Sequence, residues 1–238
     1  IEAVVLKQVP AGEADLLLVL YTLEHGKLRA VARGARRSAS RLVGHVEPLT
    51  RVSLAMAQGH GLDVVTQAQA QDGFGALKGS LVGTTQGIYL AELVDGFGTE
   101  GYANPGLYNL LLDTLRFLGE APRDELVLRY FELHLLERSG FMPELHSCVE
   151  CRTAIVQGQH RFSPQAGGVL CSRCTPARGV VMPLSVQALK TLRFLAGAQL
   201  SEVPRVRTQL SSAQELRTLM AVLLQSLLER EVRSWSFL

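Results

Sequence analysis

From Lys27 to Arg33 the side chains alternate in kind. Lys27, Arg29, Val31 and Arg33 fall on one side of an extended chain, and Leu28, Ala30 and Ala32 on the other. This period of two predicts a strand with one charged and one apolar face. Similar short segments surround it. Glu2 to Val9 ends at Pro10, with AGEAD as the turn, and Leu16 to Thr22 runs into EHGK, a glycine-containing hairpin loop. Beyond the loop GARRSASR, the stretch LTRVSLAMAQ puts Val52, Leu54 and Met56 on one face, and GHG turns into LDVVTQAQA. Five short strands predict a small closed barrel, because closure removes exposed edges. The oligonucleotide-binding (OB) barrel is the five-stranded candidate.

After Gly75 the period becomes helical. Ile88, Tyr89, Leu90, Leu93, Val94 and Phe97 make one apolar stripe. Asn104-Pro105 starts a second helix carrying Leu107, Leu110, Leu111, Leu115 and Leu118. Pro122 opens a third, RDELVLRYFELHLLERSG, closed by Gly140, and Ser212 with Glu215 has the form of a capping box ahead of Leu216, Leu219, Leu223 and Leu227. The expected fold is α+β and multidomain. An OB-type barrel over residues 1–75 would bind nucleic acid, and a helical bundle over 76–238 would carry an inserted four-cysteine zinc module at about 145–178.

Of the 238 residues 47% are hydrophobic and 19% charged, enough to bury real cores. The longest apolar run, Leu16 to Tyr21, is far short of a membrane span, and IEAVVLKQVP lacks the order of a signal peptide, so a soluble cytoplasmic protein is expected. The net charge of +2 is small but unevenly spread. Between Glu24 and Glu47 there is no acid, and Lys27, Arg29, Arg33, Arg36, Arg37 and Arg41 supply six of the chain's 24 Lys plus Arg. Such a patch favours an anionic polymer; a solvated basic face is the alternative. If the patch binds, Lys27, Arg29 and Arg33 line the third strand and Arg36, Arg37 and Arg41 extend the track along the next loop. Before Phe74 the one aromatic is Tyr21, so phosphate contacts rather than base stacking are expected to dominate. Lys190, Arg193, Arg205, Arg207 and Arg217 read as helix surface.

The four cysteines form two matched pairs, Cys148-Val-Glu-Cys151 and Cys171-Ser-Arg-Cys174. Two residues between thiolates let both sulfurs reach one tetrahedral ion, and GQHRF with QAGGVL suits a hairpin returning the second pair to the first. Two disulfides or free thiols are the alternatives, and disulfides fit poorly inside a cell. A single zinc held by four thiolates is structural, because no coordination position remains for water. His146 and His160 then stand by. GFGTEG (Gly96 to Gly101) matches a dinucleotide fingerprint, but a helical stripe precedes it and NPG follows, so it reads as a helix stop and a loop. There is no GxxxxGK[ST] phosphate loop, His45-Val-Glu47 only faintly echoes a zinc deaminase, and no catalytic triad is visible, so no enzyme activity is expected.

Several of these stretches, in order, resemble a known family. GEAD (Gly12 to Asp15) with LYTLEHGKLRAVARGARRSASR resembles the N-terminal hairpin and basic loop of the bacterial recombination mediator RecO family. YLAELVDGF, FELHLLERSGFMPELHSCVEC, FSPQAGGVLCSRC and the terminal RSWSFL are similar to later parts of it. The resemblance implies an OB domain, a helical domain and a zinc module. It also implies binding of single- and double-stranded DNA, strand annealing without catalysis, and a cytoplasmic, nucleoid-associated location. The implied partners are RecR and, in many bacteria, RecF, with RecA loaded onto DNA coated by single-strand-binding protein. An interaction adaptor with a merely solvated basic face, or an RNA-binding OB protein, stays open beside it.

Overall fold

In a computed structural model of the chain, residues 1–120, 125–156, 158, 160–176, 179–228, 232 and 234 are described. The chain divides into two compact units, 1–123 with 234–238, and 124–233. The change from strand to helix falls at residue 75, as the periodicity expects, but the first three helices belong to the same unit as the strands.

The first unit begins with β1 (Glu2–Ala11), β2 (Asp15–Thr22), β3 (Gly26–Ala32), β4 (Arg51–Ala57) and β5 (Asp63–Asp72). They close into a barrel in the order β1-β2-β3-β5-β4, with β4 returning to β1 where Glu2 faces Ser53. Only the β3–β5 pairing is parallel, and it is brief: Ala30 faces Asp63 and Val31 faces Val64. The interior is filled at period two by Ala3, Val5, Leu16, Leu18, Leu20, Ala30, Ala32, Val52, Leu54 and Val65. Each buried leucine or valine contributes about 1.5–3 kcal/mol relative to exposure.

Three helices follow: α1 (Gly75–Lys78), α2 (Leu81–Phe97) and α3 (Pro105–Glu120). Ser80 caps α2 by accepting from Gly83 N at 2.9 Å. α2 packs on the outer faces of β1 and β2, so Val4, Val19 and Tyr21, which point away from the barrel interior, are buried all the same. In the expected α2 stripe Ile88 is an exception; it is 47% exposed, because a stripe so wide cannot all face the barrel and α3. α2 stops at Phe97 and α3 starts at Pro105, so GFGTEG is a helix end and a loop.

The second unit contains α4 (Glu125–Arg138), the antiparallel strands β6 (His160–Ser163), β7 (Gly168–Leu170) and β8 (Met182–Leu184), then α5 (Val186–Gly197) and α6 (Leu210–Leu228). Pro122, expected to open α4, lies outside the described residues, as do the last four positions of RSWSFL. Gly140, at φ +80°, ends α4 in a Schellman turn: Phe141 N donates to Leu136 O and Gly140 N to Glu137 O. α4 is buried on every side, and its Arg129 and Glu132 are ion-paired with each other. The expected Ser212–Glu215 capping box does not form. α6 begins two residues earlier, at Leu210, and the Glu215 carboxylate instead accepts from Ser185 N and Oγ, both at 2.6 Å, at the start of α5. Among the described residues no helix is long and apolar enough to cross a membrane.

One glycine of the first unit is sterically obligatory. At Gly26, φ is +62° and an added Cβ would sit 1.9 Å from the carbonyl oxygen of Tyr102. Gly26→Ala is therefore expected to cost at least about 1–2 kcal/mol from the left-handed backbone alone, with a further loss from displacing the Tyr102 segment. Urea unfolding of the variant against the parent measures it.

Candidate nucleic-acid interface and metal centre

The loop after β3 is held from below by the β1–β2 turn. Gly34 N donates to Asp15 Oδ1 at 2.7 Å and Arg36 N to Ala14 O at 2.9 Å. The Arg36 guanidinium leans over the same turn, with Nη1 at 3.4 Å from Gly12 O and 3.3 Å from Glu13 O. GEAD is thus the seat of the basic loop. Arg33, Arg37 and Arg41 stand exposed above it, and none of the ion pairs found among the described residues involves them.

The strand half of the expected track differs. Lys27 Nζ donates to the Asp95 carbonyl at 2.7 Å, near the C-terminal end of α2, and lies 3.5 Å from the Asp95 carboxylate, with its side chain only 13% exposed. A cation at a helix C-terminus answers the orphan carbonyls and the negative end of the helix dipole. Lys27 therefore secures α2 to the barrel and leaves the candidate track. Arg29 stays at the surface, but its Nε is 3.0 Å from Glu100 Oε1 and both side chains are about half exposed. Such a pair contributes little to stability, so a phosphate can compete for the arginine. Neither acid was within reach of a local sequence pattern: Asp95 is 68 residues from Lys27.

Both acids are delivered by the end of α2 and the segment that follows it. β3 pairs with β5 only at Ala30 and Val31, which leaves the edge of its first half open. Residues 99–101 fill this edge: Lys27 N donates to Thr99 O and Gly101 N to Lys27 O, each at 3.2 Å. The one barrel aromatic, Tyr21, is 1% exposed under the end of α2, and burial pushes its hydroxyl up to about 12. It is not available to a base.

In the second unit the four cysteines do converge. Their sulfurs all lie within 4.8 Å of one another, with Cys151 and Cys171 Sγ at 3.9 Å. Four sulfurs about 2.3 Å from one central ion would be ~3.8 Å apart, so the cluster fits a tetrahedral metal and could form a zinc site. The first pair sits in a tight turn, with Cys148 N donating to Thr153 O at 2.8 Å and Arg152 N to Cys148 O at 2.9 Å. Hydrogen bonds from the Thr153 hydroxyl and backbone pull the Cys151 thiol down to about 6, and the Arg173 backbone N–H lowers Cys171. These donors favour thiolate at Cys151 and Cys171, the form a metal requires, whereas hydrogen bonding to the Cys151 and Cys171 sulfurs pushes the Cys174 thiol up to about 12. His160 Nε2 lies 2.6 Å from Val156 O, and neither it nor His146 joins the sulfur cluster.

The comparisons bear on the whole chain. Residues 1–74 match the family model described as recombination protein O N terminal, and residues 79–236 the one described as recombination protein O C terminal. The chain belongs to the RecO family. It is 38% identical over 237 residues to the DNA repair protein RecO of Roseiflexus sp. (strain RS-1), covering 100% of this chain and 83% of that protein. It is 39% identical over 237 residues to that of Desulforudis audaxviator (strain MP104C), with 100% and 94% covered, and 32% identical over 232 residues to that of Dehalococcoides mccartyi (strain ATCC BAA-2266 / KCTC 15142 / 195), with 98% and 91% covered.

In this RecO chain two arginines of the second unit have roles that no sequence pattern marks. Arg193, expected at the helix surface, instead reaches from α5 to Leu145 O through Nε at 2.9 Å and Nη2 at 2.8 Å, just ahead of Cys148. Arg161 of β6 donates to the carbonyls of Cys174 and Ser172, behind the second pair. The backbone flanking the first cysteine pair and the backbone of the second are thus each held by a guanidinium. Arg193→Ala is expected to destabilise the protein by about 1.5–3 kcal/mol, the range for a hydrogen bond to a charged group. It should also speed reaction of the cysteines with a thiol reagent in metal-free protein, whereas Arg217→Ala, offered as a control on α6, should leave that rate unchanged.

Proposed function

We propose that this protein binds DNA through the phosphate backbone and serves recombinational repair without catalysis of its own. The observation that carries the proposal is the exposed trio Arg33, Arg37 and Arg41, free of acidic partners among the described residues and seated beside a closed five-stranded barrel. Arg36 and Arg29 flank the trio, Arg36 partly engaged with carbonyls and Arg29 with Glu100. Relatives named for DNA repair support DNA as the polymer. Bound as phosphate-neutralising cations, these side chains hold a strand with little regard to sequence and lower the repulsion between two complementary strands, which is what annealing requires. The finer assignment is annealing and mediation with RecR and RecF at DNA coated by single-strand-binding protein, leading to RecA loading, in the cytoplasm at the nucleoid. In this reading residues 1–75 are the DNA-binding domain. Residues 76–238 form the helical part, whose module at about 145–178 takes one structural zinc on Cys148, Cys151, Cys171 and Cys174.

Zinc would complete the sulfur shell and leave the metal no reactive position, so its contribution is to folding. Purified protein is expected to carry one zinc per chain by elemental analysis, and Cys171→Ser to lose the metal together with cooperative unfolding of the second unit. A metal-free, fully folded preparation made without chelator would overturn this.

For DNA, Arg33→Ala, Arg37→Ala and Arg41→Ala combined should weaken binding alike for every sequence. For single strands each lost contact lowers the slope of log affinity against log salt by about 0.7, so the triple variant should lose about 2. Its melting curve should match the parent's, since exposed arginines add little stability. Unchanged affinity and slope in the folded variant would leave the basic loop a solvated face. Tighter binding to a matched RNA strand than to DNA would redirect the assignment to RNA.

A further inference from the structure

The first unit hides its barrel aromatic and presents another from outside the barrel. Tyr102, on the segment between α2 and α3, is 72% exposed. A single exposed aromatic calls for no explanation by itself; the placing of this one does. Its carbonyl oxygen occupies the space that a side chain at position 26 would need, so Gly26 lets its backbone lie directly on β3. The residues just before it are bonded to both sides of Lys27. A large flat ring is therefore carried into solvent on backbone that is fixed to the sheet, two residues from Glu100, whose carboxylate touches Arg29.

The position along the sheet matters as much. Gly26 begins β3, and β3 leads through Arg29 to Arg33 and the exposed arginines of the loop. At about 3.3 Å per residue, Gly26 and Arg33 are ~23 Å apart, a span of several nucleotides of an extended strand. The segment that carries the exposed ring and the loop that carries the cations thus adjoin opposite ends of one strand, a separation over which single-strand binders pair a phosphate track with a stacking platform.

We infer that Tyr102 stacks an unpaired nucleobase of the strand whose phosphates the arginines hold. The inference rests on the proposed function and adds to it a discrimination that the arginines cannot supply. Phosphates are common to single strands and duplexes, whereas a base free to leave its neighbours and lie on a ring belongs to a single strand, an end or a gap. Glu100, two residues before Tyr102, is paired with Arg29, so the nearest cation is balanced and the base is the group left for the ring to take.

The test compares Tyr102→Ala, Tyr102→Phe and the parent, all full chain, in fluorescence anisotropy with a labelled oligo-dT strand and with a blunt duplex. Tyr102→Ala is expected to lose roughly fivefold to a hundredfold in single-strand affinity, the range for removing one stacked base. Its salt slope, duplex affinity and melting curve should match the parent's, and Tyr102→Phe should retain single-strand affinity. Parental single-strand affinity in Tyr102→Ala would overturn the inference, as would equal losses on strand and duplex. If Tyr102→Phe lost as much as Tyr102→Ala, a hydroxyl contact rather than stacking would be at work, and the inference would fail. These outcomes are separable from the phosphate track: a parent that binds with a steep salt slope, lost in the Arg33/Arg37/Arg41 variant, sustains the track whatever Tyr102 does.

Discussion

A backbone N–H or C=O left open at a sheet edge must find a partner, and in the first unit this requirement organises the candidate interface. β3 gives β5 only two paired residues, so its first half would stand open along one side. The segment 99–101 closes that side, and in doing so it fixes everything attached to it. Asp95, at the end of the preceding helix, comes to Lys27; Glu100 comes to Arg29; Tyr102 is carried to the edge of the strand. Six basic residues that look equivalent in sequence are thereby sorted into distinct tasks. Lys27 joins helix to barrel, Arg29 is balanced, Arg36 leans on a turn, and Arg33, Arg37 and Arg41 keep their charge for solvent or a ligand.

The sorting marks where sequence reading succeeds and where it stops. The strands could be read because alternation over five or more residues is a local signal that burial in the barrel does not contradict: Leu28, Ala30 and Ala32 turn inward as their spacing requires. The cysteine pairs could be read because two residues between sulfurs is itself the ligand geometry. Lys27 could not, since its partner lies 68 residues away and no local pattern predicts which strand face a later helix will cover. Glu215 failed for a related reason. A carboxylate near a helix start can serve its own helix or a neighbour's, and the spacing S-x-x-E does not say which. Tyr102 carries no local signal of its own, because it reaches β3 on a segment beyond α2.

The metal module follows the same logic as the strand edge. The loops around the cysteines leave carbonyls outside any helix or sheet, and two arginines donate to them: Arg193 to Leu145 O and Ile155 O, and Arg161 through one nitrogen to Ser172 O and Cys174 O. Arg193 fixes the approach to Cys148 from α5, and Arg161 fixes Cys174 from β6. The backbone itself brings the sulfurs together, which would lower the conformational cost of assembling four ligands around a metal. The Thr153 hydroxyl and the Arg173 N–H then tilt Cys151 and Cys171 toward thiolate, while Cys174, bonded to those two sulfurs, is held as a thiol.

Covering a barrel face has a consequence for how a strand could lie there. With α2 packed on the outer faces of β1 and β2, Val4, Val19 and Tyr21 are spent on the unit's own core and offer bases no broad aromatic floor. A strand gripped at the arginine loop would therefore be held chiefly by its phosphates, with most of its bases turned away from the protein. For a protein proposed to bring complementary strands together this is an advantage: bases sunk into a deep stacking groove would have to be pulled out, at about 1–3 kcal/mol each, before they could pair. One ring at the end of the track restrains a single base and leaves the others free to meet a second strand. Weak hold on the bases and strong hold on the charge are the two conditions under which binding a strand and releasing it into a duplex do not oppose each other.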